Sequence, residues 1–201
     1  MRKTGMTKVR PKNLALVVLF LTSYVPLFVL LILRQIKQNR EFLHFGGFSI
    51  DNFLTAFQKF GLSFFLIFLI LLGLLGLKIL LGNFEKKVDN GTIVKIKKIE
   101  NKNSESIAYI STYIVPFIFQ DTNNFFDIAS IFIVLSIIFI IYIKSNMIVI
   151  NPILNITHSL YQIEFNLGTF EKTGLLISNN KDIEANMEIK INQISSNIYY
   201  G

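Results

Sequence analysis

Residues Leu14–Leu33 read LALVVLFLTSYVPLFVLLIL and carry no charged side chain. A helix of this length spans about 30 Å, the thickness of the hydrocarbon core of a bilayer. The stretch is longer than the apolar region of a signal peptide, and no small-residue cleavage pattern follows it. It therefore predicts a transmembrane helix that the chain retains as an anchor.

Further apolar segments extend this pattern along the chain. Gly61–Gly82 holds one charge, Lys78, whose long stem can reach the headgroups, and Ile128–Ile143 holds none. The segment 104–123 has polar ends and predicts a helical hairpin with the span that follows, with a re-entrant loop as the alternative. The chain is 52% hydrophobic and only 16% charged, against roughly 25% charged in soluble domains. We therefore predict an α-helical membrane protein with four transmembrane helices.

The basic residues predict the orientation. They are concentrated in the arm 1–13 and in the segment 83–103, whereas the turn between the third and fourth spans has none. Because Lys and Arg collect on the cytoplasmic side, both termini and the segment 83–103 are predicted to be cytoplasmic. The net charge of +7 then mainly reflects basic residues that lie on the cytoplasmic side of the membrane, where they also attract anionic lipid.

Short β-patterns lie on this cytoplasmic side. The segment 91–102 mixes β-branched residues with lysines, and 160–167 alternates apolar and polar residues as a half-buried strand does. Three further strands are predicted at 173–178, 187–194 and 197–200. Neither part of the chain can bury a core alone, so we predict one small β-domain built from the 91–102 strand and the C-terminal tail 151–201.

The loop 34–60 is predicted to lie outside the cell. Within it, Ser49 is a plausible N-cap for a short amphipathic helix with apolar residues at Phe53, Phe57 and Phe60. A helix lying at the membrane interface is the simpler interpretation. A surface that receives something from outside is the alternative.

Two groups of polar residues in the predicted hairpin are candidate sites. On a helix, one stripe carries the polar and kinking residues Tyr109, Thr112, Tyr113, Pro116 and Gln120. Such a stripe faces protein or water, so it predicts either helix packing or the lining of a pore. Asp121 and Asp127 lie at the outer turn, where they either bind a cation at a channel mouth or sit among hydrated headgroups.

Catalysis finds little support in the sequence. The chain has no cysteine, which excludes thiolate chemistry, disulfides and Cys-based metal sites. Its two histidines, His44 and His158, are predicted on opposite sides of the membrane, and no catalytic or phosphate-binding motif is present. We predict a protein that is not an enzyme and that uses no metal or cofactor.

The residues 91–200 resemble the KwaA family, the membrane subunits of the Kiwa anti-phage defence system. The resemblance rests on STYIVPF (111–117) and NPIL (151–154), which follow a basic strand and precede a small β tail. Its pattern positions are Tyr113, Pro116, Asn151 and Pro152, of which Pro152 would end a helix or turn the chain into the tail.

The resemblance implies a bacterial inner-membrane protein that forms a homo-oligomer, with a tetramer favoured. It also implies a cytoplasmic DNA-binding partner, KwaB, held by the β-domain through Lys95, Lys97 and Lys98. The chain itself is expected to make no direct contact with nucleic acid.

These observations predict a membrane scaffold and sensor that recruits a cytoplasmic effector. A small pore-forming effector or ion channel is the alternative, and an accessory subunit of a transporter is a third. The predicted organisation is an arm at 1–13, two transmembrane helices with their outer loop at 14–82, a strand segment at 83–103, a helical hairpin at 104–150 and a β tail at 151–201.

Overall fold

The computed structural model describes residues 13–43, 47, 49–109, 125–145, 151–168, 170–195 and 197–201. The helices in these residues are α1 (Asn13–Ser23), α2 (Val25–Gln38), α3 (Ile50–Val88), α4 (Asn103–Tyr109), α5 (Phe125–Ser145) and α6 (Pro152–Thr157), with a 3-10 turn at Arg40–Phe42. The strands are β1 (Thr92–Asn101), β2 (Ser159–Leu167), β3 (Phe170–Ser178), β4 (Glu188–Ser195) and β5 (Ile198–Tyr200).

The first apolar segment is two helices rather than the single helix predicted. α1 and α2 meet at an angle of 51°, and Tyr24 separates them. Pro26 lies in the first turn of α2 and lacks the N–H that would bond the Thr22 carbonyl in a continuous helix. The Thr22 and Ser23 hydroxyls donate to carbonyls of α1 at 3.0 and 2.8 Å. Hydrogen bonds from Ser and Thr side chains to carbonyls of the preceding turn bend helices. Pro26 and these two hydroxyls therefore account for the break.

α3 is one continuous helix of 39 residues, about 58 Å long at 1.5 Å per residue. The predicted N-cap is confirmed, because the Ser49 Oγ accepts a hydrogen bond from the Asn52 amide at 3.2 Å. The prediction of a separate interfacial helix is wrong, since no proline interrupts the chain and that helix runs on as the first part of α3. The predicted loop 34–60 therefore overlaps the end of α2 at Gln38 and the start of α3 at Ile50.

Fewer spans are evident than the four predicted. By length and composition α3 can cross a membrane, and the bent pair α1–α2 can do so if it is counted as one span. α5 contains the predicted fourth span, but its apolar stretch within the described residues, Phe126–Ile140, is shorter than the length a span needs. Most of the predicted third span, residues 110–124, lies outside the described residues. The described part of the chain therefore holds one candidate membrane span, or two if the bent pair is counted as one span.

α1 packs closely against α3 at two glycines. A Cβ atom on Gly73 would lie 3.2 Å from the Leu21 Cβ, and one on Gly76 would lie 2.6 Å from the Val18 Cγ2. The second distance is shorter than real Cβ contacts, so a side chain at position 76 would push the helices apart. The two glycines therefore allow the close contact between α1 and α3.

The five strands form a closed barrel in the order β1-β2-β3-β5-β4. β1 pairs with both β2 and β4, and β3 runs parallel to β5 while the other pairs are antiparallel. This order with its one parallel pair is the topology of the OB-fold. The predicted β-domain made from two parts of the chain is confirmed, because β1 completes a barrel whose other strands all follow residue 158.

Strand patterning explains how the barrel fills its interior. Tyr161, Ile163 and Phe165 are buried while Gln162 and Asn166 on the other face of the strand are exposed, as the alternation predicts. The register of β1 against β2 shifts between residues 96 and 98, which is a bulge that bends β1 from one neighbour to the other. Ile183, in the connection between β3 and β4, packs in the same core.

The barrel and the helices share a hydrophobic core. Leu160, Ile177 and Ile198 lie on the barrel surface and pack with residues of α1, α3 and α6, including Leu19 and Leu154. The barrel is therefore seated on the helical layer and is not a module on a flexible tether.

Candidate functional site

The predicted partner-facing lysines lie together on β1, beside the bulge. All three are exposed: Lys95, Lys97 and Lys98. The Lys97 Nζ lies 3.0 Å from an oxygen of Glu171, and the Lys98 Nζ lies 3.3 Å from an oxygen of Glu164. These ion pairs are exposed, so they contribute little to stability and leave the ammonium groups accessible.

Exposed apolar side chains flank these lysines. Phe170 is 73% exposed at the start of β3, next to the glutamate that pairs with Lys97. Met187 is 41% exposed, and its carbonyl accepts a hydrogen bond from the Ile96 amide at 3.0 Å, between two of the lysines. We call this group the lysine face, which consists of Lys95, Lys97, Lys98, Phe170 and Met187. Its mixture of accessible cations and apolar side chains suits a protein surface that carries acidic groups.

The neighbouring surface of β2 and β3 is where OB-folds bind oligonucleotides. In this chain the outward positions of β2 are Gln162, Glu164 and Asn166, and those of β3 include Glu171 and Thr173. Single-stranded nucleic acid is bound by stacking on aromatic side chains in a positively charged groove. These positions offer two carboxylates, and the exposed ring of Phe170 lies beside them at the start of β3. The expectation of no direct contact with nucleic acid stays a prediction.

A chain of polar groups joins the barrel to the end of α3. The Tyr200 hydroxyl donates to a Glu85 carboxylate oxygen at 3.3 Å, and it lies 2.9 Å from the His158 Nε2. The His158 Nδ1 lies 2.8 Å from the Thr157 hydroxyl oxygen. Sequence reasoning missed this cluster, because Glu85 and Tyr200 are 115 positions apart and no local pattern connects them.

Burial sets the protonation of this cluster. It lowers the pKa of His158 below the usual 6.5, although the nearby Glu85 opposes the shift. Burial also raises the pKa of Tyr200 to about 12, with the same carboxylate adding to the effect. At neutral pH the imidazole and the phenol are therefore both uncharged.

Asn151 connects the same end of the barrel to the break between α1 and α2. Its Nδ2 donates to the Leu19 carbonyl at 3.1 Å and to the Thr22 hydroxyl at 2.7 Å. Its Oδ1 accepts from the amides of Ile153 and Leu154, each at 3.1 Å, and so caps α6. Pro152 is the first residue of α6, the helix that leads the chain into β2.

Most of the predicted hairpin sites lie outside the described residues: Thr112, Tyr113, Pro116, Gln120 and Asp121. Tyr109 is the last residue of α4, and Asp127 lies in the first turn of α5. An acid in that position is stabilised by the helix dipole. The two alternatives for the outer turn, a cation site or placement among headgroups, stay predictions. Across the described ranges, no three His, Asp or Glu side chains are grouped so that they could hold a metal ion.

Comparison with known proteins assigns the chain to a family. No curated protein matches it at a significant level, and no solved structure does so either. The family model described as "Anti-phage protein KwaA" matches residues 15–200. That range contains the helical layer, the lysine face and every strand of the barrel. The chain therefore belongs to the KwaA family of anti-phage proteins.

Proposed function

We propose that the chain is a non-enzymatic scaffold and sensor of the bacterial inner membrane. In this proposal it forms a homo-oligomer, keeps both termini in the cytoplasm and recruits a cytoplasmic DNA-binding effector, a KwaB-like protein, during phage infection. The anti-phage role follows from the family. The observation that carries the rest is the seating of a charged barrel on an apolar helical layer through a shared core.

The exposed surface of α3 supports the membrane location. Only 17% of its most apolar window is buried, whereas a core helix of a soluble protein would be mostly covered. An apolar surface of this extent is stable when lipid covers it. The exposed side chains include Phe64, Phe65, Phe68, Leu71, Leu75 and Ile79.

The lysine face supports the recruitment step. Its cations lie on a barrel strand, so their positions are fixed by the sheet and not by a mobile tail. Phe170 offers the exposed aromatic side chain that interfaces commonly use as an anchor. Because Glu171 is exposed and Glu164 is only partly buried, an acidic partner can displace them from the lysines at little cost.

Co-purification with a KwaB-like protein tests this proposal. The two proteins are produced together, the membranes are solubilised in mild detergent, and the tagged chain is recovered. We expect the double variant Lys98→Glu with Phe170→Asp to recover at least tenfold less partner than the unmodified chain. The matched control is Lys181→Glu with Asn179→Asp, which makes the same change of charge at exposed positions of the β3–β4 connection.

Three outcomes would contradict the proposal. Equal recovery by the two double variants would show that the lysine face does not dock the partner. Recovery of no partner by the unmodified chain would remove the scaffold role. A chain that stays in the soluble fraction when the cells are broken would remove the membrane location.

A further inference from the structure

A groove among the described residues runs along α2. It has a volume of about 540 Å³, in the range of ligand sites in proteins. Its described lining begins with Leu27, Leu30, Leu31 and Leu33 and ends with the cations Arg34 and Lys37. The groove therefore has an apolar body and one positively charged end.

We propose that this groove binds an anionic phospholipid, with one acyl chain along the leucines and the phosphate at Arg34 and Lys37. This inference rests on the membrane location proposed above. It adds a specific site to a protein whose other basic residues would attract anionic lipid only in a general way. A zwitterionic lipid and a second copy of the chain are the competing occupants, and the experiment below separates them.

The length of the groove fits one leaflet of the bilayer. From Leu27 to Lys37 the helix rises about 15 Å at 1.5 Å per residue, which is half of the roughly 30 Å hydrocarbon core. An acyl chain lying along the leucines would therefore place its headgroup at the cations. Successive turns of the helix present the residues at position 27, then at positions 30 and 31, then at position 34. The steps between turns are three or four residues, so these side chains form one stripe along the helix.

The charged end fits a phosphate. A guanidinium group offers a planar pair of donors that matches phosphate oxygens, and an ammonium group adds a compact charge. Arg34 and Lys37 are three positions apart and therefore lie on neighbouring turns of the same side of α2. The two cations can bind one phosphate group together.

The wall of the groove is held in place by contacts with α3. The Gln35 Oε1 accepts hydrogen bonds from the backbone N–H and from the hydroxyl of Ser63. The hydrogen bond from the N–H is 2.7 Å long. The Asn39 Nδ2 donates to the Lys59 carbonyl at 3.3 Å. These hydrogen bonds fix α2 next to the groove. The groove is therefore already formed before a lipid binds.

Native mass spectrometry of the full chain tests the site. The protein is purified in mild detergent and mixed with phosphatidylglycerol or phosphatidylcholine that have identical acyl chains. We expect at least fivefold more bound phosphatidylglycerol than phosphatidylcholine. The variant Arg34→Gln with Lys37→Gln should reduce phosphatidylglycerol to the level of phosphatidylcholine. The control Arg40→Gln with Lys59→Gln removes two cations at the same end of the helical layer and should keep the preference.

A second variant separates the groove from general charge attraction. Leu30→Trp keeps every charge and fills the apolar body, so it should lower the binding of both lipids. The melting temperature of each variant shows whether the fold is intact. If the glutamine variant is unfolded, the tryptophan variant and the preference of the unmodified chain still decide the outcome.

Several results would overturn the proposal. Equal retention of both lipids by the unmodified chain would mean that no anionic headgroup is recognised. An equal loss in the control variant would mean general attraction instead of a site. If Leu30→Trp dissociates an oligomer that binds no lipid, a second copy occupies the groove. In each of these cases the chain still purifies from membranes, whereas failure of the proposed membrane function would leave it in the soluble fraction.

Discussion

Asn151 makes four hydrogen bonds from a side chain that is fully buried. It caps α6 with its oxygen and bonds α1 with its nitrogen, so one residue ties the entry of the barrel to the helical break. The resemblance to KwaA proteins singled out this position without explaining it. The explanation is that an amide offers an acceptor and a donor at once.

We expect Asn151→Ala to lower the free energy of unfolding by about 2 kcal/mol, through the lost cap and the lost donors. Asn151→Asp should cost more, because it keeps the capping oxygen but places a buried carboxylate against the Leu19 carbonyl. Thermal or denaturant unfolding of the detergent-solubilised chain measures both effects. Asn166→Ala, at an exposed position of β2, is the control. An Asn151→Asp variant as stable as the unmodified chain would contradict the role of the amide donors.

His158 gives the fold a dependence on pH. Its pKa in the folded state is lowered by burial, so the unfolded state binds the proton more readily. Its contribution to stability is therefore complete above pH 6.5 and is lost as the pH falls from 6.5 towards the lower pKa of the folded state.

The melting temperature measured between pH 7.5 and pH 5.5 checks this dependence. We expect the temperature to fall with pH in the unmodified chain and to fall less in His158→Gln, which cannot take up the proton. His44→Gln is the control for the other histidine. An unchanged slope in His158→Gln would show that other groups cause the pH dependence.

At the scale of the elements, the contact of α1 with α3 depends on the absence of a side chain at Gly76. We expect Gly76→Leu to lower the free energy of unfolding by about 2 kcal/mol, because the new side chain meets Val18. Gly82→Leu is the matched control, since it lies on the same helix with nothing within 4 Å of an added Cβ. It should be neutral or slightly stabilising because leucine favours helix more than glycine does. Equal melting temperatures for the two variants would contradict the close packing.

The elements show what could be read from the sequence. All five strands were predictable, because each is bounded by turn residues and carries β-type patterning that survives in the fold. Hydropathy does not reveal the break at Tyr24, because Pro26 is as apolar as its neighbours. The break arises because Pro26 cannot donate a hydrogen bond to the Thr22 carbonyl, which depends on its position in the helix. The extension of α3 over residues 50–60 was also missed, because its amphipathic start looked like a separate surface helix.

The candidate sites were predicted less completely than the strands. The lysines of β1 could be found from charge alone, and the structure places them together at one bulge. Phe170 and Met187 lie beside these lysines only because strand pairing and the β3–β4 connection bring them there. No local sequence pattern reveals that proximity. The cluster of Glu85, His158 and Tyr200 likewise depends on three distant segments meeting where the barrel is seated on α3.

The molecule as a whole has a charged end and an apolar layer, and with the proposed membrane location this arrangement predicts an orientation. Since the natural sequence has no cysteine, single cysteines can be placed without background. We expect Lys98→Cys and Asn197→Cys, both on the barrel, to react with an impermeant maleimide only after the cells are permeabilised. Asp51→Cys, at the start of α3, should react in intact spheroplasts. Labelling of the two barrel positions on different sides would contradict the closed barrel, and labelling of all three on one side would contradict a membrane-crossing α3.

The connection between β1 and β2 sets an order of events during synthesis. Residues 102–158, including α4 and α5, separate these two strands. At about 5–20 residues per second, β1 leaves the ribosome several seconds before its first partner does. An unpaired strand of this kind invites misassembly until its neighbours arrive. Closure of the barrel therefore waits until residues 102–158 have been synthesised, and a chain stalled before that point would display an open strand that cellular proteases and chaperones can recognise.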